Sequence, residues 1–195
     1  MLIHEQKSYQ NPLKLPIAIL KTDQCEFVSH WHYDLEFAFV LSGGMTVTLN
    51  GAPARLRAGD ALVCAGGDIH SYQRPSADSR VVILMLDPIA ARKSGALVLD
   101  TPTYSCVYHP GSPACASRLA AVLEEMYGEF VSLNDASPYF LYAYILETQG
   151  ILHRYYTGKA ALPGGQPAQA HLNTIRESIS YIEGHYGEEI TIADM

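Results

Sequence analysis

The chain has 195 residues, 48% of them hydrophobic, and a formal charge of −7 from 13 Lys and Arg against 20 Asp and Glu. That length and apolar content suffice for one good core with a smaller appended element, and they exclude a disordered chain. The thinly spread cations exclude a segment that itself wraps nucleic acid, because phosphate binding draws on clustered Lys and Arg.

Residues 1–16, with Asn11-Pro12 and Pro16, read as an irregular arm. Pro16 to Thr22 and Cys25 to Ser29 read as short strands that lead into His30-Trp31-His32-Tyr33-Asp34-Leu35-Glu36. On a strand, His30 and His32 share one face. Glu36 keeps their parity if the strand is unbroken or bends in compensation near Tyr33-Asp34. Trp31 has the opposite parity and is expected to pack outside. Gly67-Asp68-Ile69-His70 answers this stretch, and His70 is expected on a second strand folded alongside. Three imidazoles and a carboxylate are ligand types that first-row divalent metals prefer. The candidate metal ligands are therefore His30, His32, Glu36 and His70, for one divalent transition metal: zinc, nickel, manganese or iron. A polar pocket without a metal accounts for the same residues equally well.

Between the two halves, Met45 to Leu49 alternates apolar and hydroxyl residues, Asn50-Gly51 is a strong hairpin signal, and Ala52 to Arg57 returns. Ala58-Gly59-Asp60 turns into a short apolar strand at Ala61 to Ala65, and Gly66-Gly67 turns again. Short strands at short intervals predict an all-β barrel or sandwich rather than βαβ units. The run Val81 to Leu86 is apolar on both faces and reads as a strand covered on both sides. Signals from Pro88 to Pro113 are mixed, with a strand expected around Tyr104 to Tyr108.

The period then changes. Ser112-Pro113 opens a helix with Leu119, Val122, Leu123, Met126 and Phe130 on one stripe. Ser137-Pro138 repeats the device, with Leu141, Tyr144, Ile145 and Leu152. Each stripe could pack on its own barrel. Tyr139, Phe140, Tyr142, Tyr144, Tyr155 and Tyr156 surround the second helix on more than one face, too many for one wall, and so predict a homodimer. Gly158 to Gln169 reads as a linker. Beyond it, Leu172, Ile175, Ile179, Ile182 and Tyr186 have helical spacing, and Thr191-Ile-Ala-Asp194 resembles a capping box. Cys25, Cys64, Cys106 and Cys115 lack paired close spacing and are expected as reduced thiols. No signal sequence opens the chain, and no run approaches the roughly 18 apolar residues of a membrane helix. A cytoplasmic protein with no membrane partner is expected.

His30-x-His32, Glu36 and Gly43 resemble the first cupin motif in their spacing. Gly59, Ala65-x-Gly67 and His70 resemble the second. Ala65 stands where that family usually has proline, and Gln73 where the motif usually ends in asparagine. The wording of Phe37 to Gly44, Leu56 to Leu62 and Ile182 to Asp194 is similar to AraC-type transcription regulators. The resemblance implies a mainly β fold with C-terminal helices, a cupin-type double-stranded β-barrel (jelly roll) followed by an α-helical hairpin. It implies an effector-binding barrel with its arm at 1–111, a dimerising hairpin at 112–157, a linker at 158–170, and the incomplete start of a helix-turn-helix domain at 171–195. His30, His32, Glu36, His70 and Tyr72 are then the effector-binding residues. The chain is expected to be a non-enzyme that senses a small molecule and reaches DNA through a part that follows. A metal-dependent cupin enzyme, a dioxygenase or isomerase, would use the same four ligands and stays open, as does a plain sugar-binding module.

Overall fold

The computed structural model describes residues 3–4, 9, 11–73, 77–87, 106–161, and positions 178, 181, 182, 185, 187, 188, 190 and 191. The chain divides into two compact units, Met1–Leu162 and Pro163–Met195. In the first, the strands are β1 Ile3–His4, β2 Ile17–Thr22, β3 Phe27–Trp31, β4 Leu35–Ser42, β5 Gly44–Leu49, β6 Ala52–Arg57, β7 Ala61–Cys64, β8 His70–Gln73, β9 Arg80–Leu86 and β10 Cys106–Pro110. Helices α1 (Pro113–Val131) and α2 (Ser137–Tyr155) follow, then β11 (Tyr156–Ala161).

The strands form a five-stranded sheet, β1-β3-β8-β5-β6, and a six-stranded sheet, β11-β10-β7-β4-β9-β2. Every pairing is antiparallel except β1 on β3. Asn50 and Gly51, at φ 49° and 83°, turn β5 into β6 as the Asn-Gly signal predicts. Strand alternation sorts the larger sheet's side chains into two cores. Ala38, Val40, Leu62, Val81 and Ile83 face the smaller sheet's Met45, Val47, Leu49, Leu56 and Tyr72. Leu35, Phe37, Phe39, Val82, Leu84 and Leu86 face the other way, onto Leu119, Leu123 and Met126 of α1 and Leu141, Ile145 and Leu152 of α2. The fold is thus three layers: small sheet, large sheet, helical hairpin.

The apolar stripes of both helices are spent on this intramolecular packing. Of the six aromatics flagged on α2, Tyr156 is buried and Tyr142, Tyr144 and Tyr155 are partly buried against the outer core. Tyr139 and Phe140 stay outside, at 79% and 51% exposure. Lys21 on β2 pairs with Glu124 at 2.5 Å, and Arg118 with Glu147 at 2.9 Å, tying sheet to helix and helix to helix.

Several expectations need correction. The ladder does not close into one barrel: among the described residues no strand of one sheet pairs with a strand of the other. The chain passes from one sheet to the other at most of its connections, His32–Asp34 between β3 and β4 among them, so consecutive strands lie in facing sheets rather than pairing along one ladder. The strand expected from Cys25 starts at Phe27, with Cys25 buried in the preceding loop. The arm is not wholly irregular, since Ile3–His4 pairs with β3. Ser112 caps α1 as expected, accepting from the Cys115 N–H, but Ser137 is not a cap. It lies inside α2, buried, and donates to Glu129 of α1. The first part of the expected linker, through Ala161, belongs to β11 on β10; its remainder lies outside the described residues. So does the strand expected at 104–105, although β10 runs from Cys106.

In the second unit, Ser178, Tyr181, Ile182 and His185 are helical, and the rings of Tyr181 and His185 stack at 4.2 Å. Leu172, Ile175, Ile179, Tyr186 and the residues after Thr191 lie outside the described residues.

Candidate metal centre

The site is built where the two sheets exchange the chain. His30 on β3 sits opposite His70 on β8, and Glu36 is the second residue of β4 in the facing sheet. His32 falls in the bend between them. Its position is set by the Gly66-Gly67 turn: the Gly67 N–H donates to the His32 carbonyl at 2.6 Å, with Gly67 at φ 84°. A Cβ at Gly66 would stand 2.1 Å from the Tyr33 carbonyl oxygen, so the close approach that makes the bend requires glycine there. The same turn fixes His70. Buried Asp68 accepts from the Ala65 N–H at 3.1 Å and from the Asn50 amide at 2.9 Å, while Asn50 Oδ1 accepts from the Ile69 N–H at 3.0 Å.

The structure brings all four predicted ligands together. His30, His32, Glu36 and His70 are buried, and one ligand atom from each lies within 4.8 Å of the others. Their tautomers follow from the backbone. Nδ1 of His30 lies 2.8 Å from the Val28 carbonyl, Nδ1 of His32 3.2 Å from that of Asp34, and Nδ1 of His70 2.9 Å from that of Asp68. A carbonyl only accepts, so each Nδ1 is the protonated nitrogen and each Nε2 is left for the site. This is how metal-binding histidines are oriented.

Glu36 completes the set. Its Oε1 accepts from the Tyr72 hydroxyl at 2.5 Å; its Oε2 lies 3.1 Å from His32 Nε2 and 3.7 Å from His70 Nε2. The last distance is beyond hydrogen-bond range, and His70 Nε2 is a buried polar atom without a hydrogen bond. Lone pairs and a carboxylate directed at one point call for positive charge between them. Burial pushes the Glu36 pKa up, but protonated His32 and His70, whose Nε2 then also carries a hydrogen toward the carboxylate, outweigh it and hold the carboxyl well below its usual range. Burial likewise opposes charge on His70, and Glu36 draws its pKa above the ordinary value. A divalent cation meets the same demand with ligand types that suit it. The residues present fit a metal.

Tyr72, predicted to touch an effector, has its hydroxyl committed to Glu36, though it also lines the adjoining cavity. Trp31 is partly exposed, edge-on to Tyr33 at 5.4 Å, and does not line that cavity. Sequence reasoning missed the rest of the wall. Leu20, Phe27, Ile83 and Met85 join His30, Glu36 and Tyr72 around about 50 Å³ of space. The parity of β9 holds the signal, since Ile83 and Met85 share the inward face with Val81. It also missed Asp34, whose carboxylate accepts from Tyr9 of the arm and whose backbone carbonyl accepts from the His32 Nδ1–H.

Residues 17–87 match the cupin domain family. No curated protein matches the chain. Among solved structures, KdgF from Halomonas sp. is similar over 36% of this chain and 66% of its own, at 28% identity and a TM-score of 0.33. An oxalate decarboxylase of Bacillus subtilis is similar over 39% of this chain and 22% of its own, at 21% identity and TM-score 0.34. The AraC-like transcriptional activator CuxR is similar over 77% of this chain and 52% of its own, at 12% identity and TM-score 0.45. In each case the matched part is less than two thirds of the other protein's length. The chain therefore contains a cupin domain, at residues 17–87, with a buried three-histidine, one-glutamate cluster that could bind a metal.

Proposed function

We propose that residues 1–161 are the effector-binding and dimerising portion of an AraC-type transcription regulator, in which a small molecule bound between the sheets controls transcription. The observation that carries this reading is the outer side of α2. With its inner stripe already buried, the helix still presents Tyr139, Phe140 and Leu146 to solvent, a surface that a second copy of the hairpin would cover. DNA is assigned to the helix-turn-helix part that residues 171–195 resemble in its opening; the chain's charge of −7 argues against DNA binding by the cupin domain.

His30, His32, Glu36 and His70 would hold one divalent metal, zinc, nickel, manganese or iron, which supplies a Lewis-acidic positive charge when bound. The chain's own part is to orient. Three backbone carbonyls fix the imidazole tautomers, and Tyr72 fixes the carboxylate. An effector shifts the arm or the hairpin only by as much as its affinity differs between their arrangements. A second reading, a metal-dependent cupin dioxygenase or isomerase, is favoured by the cavity's direct access to His30 and Glu36.

Sedimentation at tens of micromolar tests the dimer. The expected result is a dimer that Tyr139→Glu with Leu146→Glu converts to a folded monomer; a monomeric parent chain overturns it. Nuclear magnetic resonance of ligands incubated with the metal-loaded protein separates the two readings: the regulator returns them unchanged, and turnover establishes the enzyme.

A further inference from the structure

The cavity beside the cluster is lined by two chemistries. His30, Glu36 and Tyr72 are polar and Leu20, Phe27, Ile83 and Met85 apolar, with Met85 opposite Glu36, Phe27 opposite Tyr72 and Leu20 opposite Ile83 across the strands. It lies between the sheets at the seam of β2 and β3, where Leu20 is exposed and Met85 partly so. No lysine or arginine lines it, and the Tyr72 hydroxyl already donates to Glu36. A sugar would leave most of its hydroxyls unpaired against hydrocarbon and thioether, because recognition needs several placed polar groups.

Charge narrows the choice further. Three neutral imidazoles and one carboxylate around a divalent cation leave a single net positive charge in a buried place, which favours an anionic partner. Size sets the remainder. Space of about 50 Å³ accommodates about four water-sized groups, a carboxylate and its first carbon but not an aromatic ring, and the exposed edge at Leu20 gives a few further carbons of a chain apolar surface to lie along.

We propose that the cavity binds a short-chain monocarboxylate of about three to five carbons, its headgroup toward the metal-loaded cluster and its hydrocarbon against Leu20, Phe27, Ile83 and Met85. The proposal rests on the metal and effector reading above and names the ligand class of that site. The parts of the wall divide the work: the cluster sets the sign of the headgroup's charge, and the four apolar side chains reward chain length.

Calorimetric titration of the zinc-loaded protein with acetate, propionate, butyrate and butyramide tests it. Affinity is expected to rise about fourfold per added methylene, with butyramide about tenfold or more weaker than butyrate because it lacks the charge. Leu20→Glu, at an exposed rim position, is expected to weaken butyrate more than acetate. Equal affinity along the series overturns the apolar half of the proposal, and equal binding of acid and amide overturns the anionic half. Zinc present by elemental analysis with no carboxylate bound overturns the ligand class and leaves the metal site standing. Absence of zinc overturns both.

Discussion

Neighbouring residues of β4 meet opposite environments, and the contrast separates what holds this fold from what the fold holds. Leu35, Phe37 and Phe39 point toward the helices, into a core made of hydrocarbon and aromatic side chains. Glu36, Ala38 and Val40 point between the sheets, into a second apolar core with Met45, Val47, Leu49 and Leu56 that is interrupted by the polar cluster. On the outer face each large side chain contributes about 1.5–3 kcal/mol by leaving water. On the inner face a carboxylate is desolvated, a cost offset only by the Tyr72 hydroxyl and the facing imidazoles. The lesson is that the outer side of the large sheet is given wholly to apolar packing, whereas the inner side combines an apolar core with the ligand chemistry.

The largest expected effect tests the outer side. Phe39, fully buried under the hairpin, should cost about 3–5 kcal/mol when truncated to Ala, read from urea unfolding. The protein that remains folded should keep its metal stoichiometry. A loss below about 1 kcal/mol would mean that the hairpin interface is not what closes the fold.

Glu36→Gln sharpens the contrast from the other side. The amide keeps an acceptor for Tyr72 and offers an N–H to His32 Nε2, so no buried polar group is orphaned. Metal affinity is expected to fall by about 100-fold or more, since even partners of ligands are worth 10–100-fold. Metal-free stability should stay within about 1 kcal/mol of the parent or rise, because a buried charge has been removed. A metal-free variant destabilised as strongly as Phe39→Ala would show that Glu36 holds the sheets together, and the division between faces would fail.

The same division explains which features are legible in the sequence. Alternation exposed the strands, and the spacing of His30, His32, Glu36 and His70 carried the cluster, because parity survives a bend that moves the chain from one sheet to the other. The bend itself is marked only by Gly66, thirty-odd residues away in sequence, whose missing Cβ admits the Tyr33 carbonyl. The cavity wall was hidden because Val81 to Leu86 is apolar on both faces, and hydropathy alone does not distinguish a face that packs on helices from one that lines a pocket. The helices were legible from their period, but Ser137 was misread as a cap. Its hydroxyl serves Glu129 on the other helix, a tertiary contact with no local signature. Tyr9 left no signal either, since its partner Asp34 is twenty-five positions on.

That arm contact supplies the smallest expected effect, and it lies at the border between the two chemistries. Tyr9 donates to the Asp34 carboxylate, and the Asp34 carbonyl accepts from His32. Tyr9→Phe leaves a largely buried carboxylate short of one donor, a loss of about 1 kcal/mol confined to the arm. Proteolysis within the first ten residues should therefore accelerate about fivefold, with the global unfolding midpoint nearly unchanged. Metal affinity should hold within about threefold, because the His32 proton is bonded to backbone that the substitution leaves in place. Burial, reinforced by the hydrogen bond and charge of Asp34, pushes the Tyr9 phenol well above its ordinary value of 10.0. The protonated donor is thus the folded form, so its contribution is complete below about pH 10 and is lost as pH rises beyond that value. Arm protection in the parent chain should be flat from about pH 6 to 9. A decline in that window would assign the arm's hold to a group other than Tyr9, and a metal affinity that falls with Tyr9→Phe would place the arm inside the site rather than at its edge.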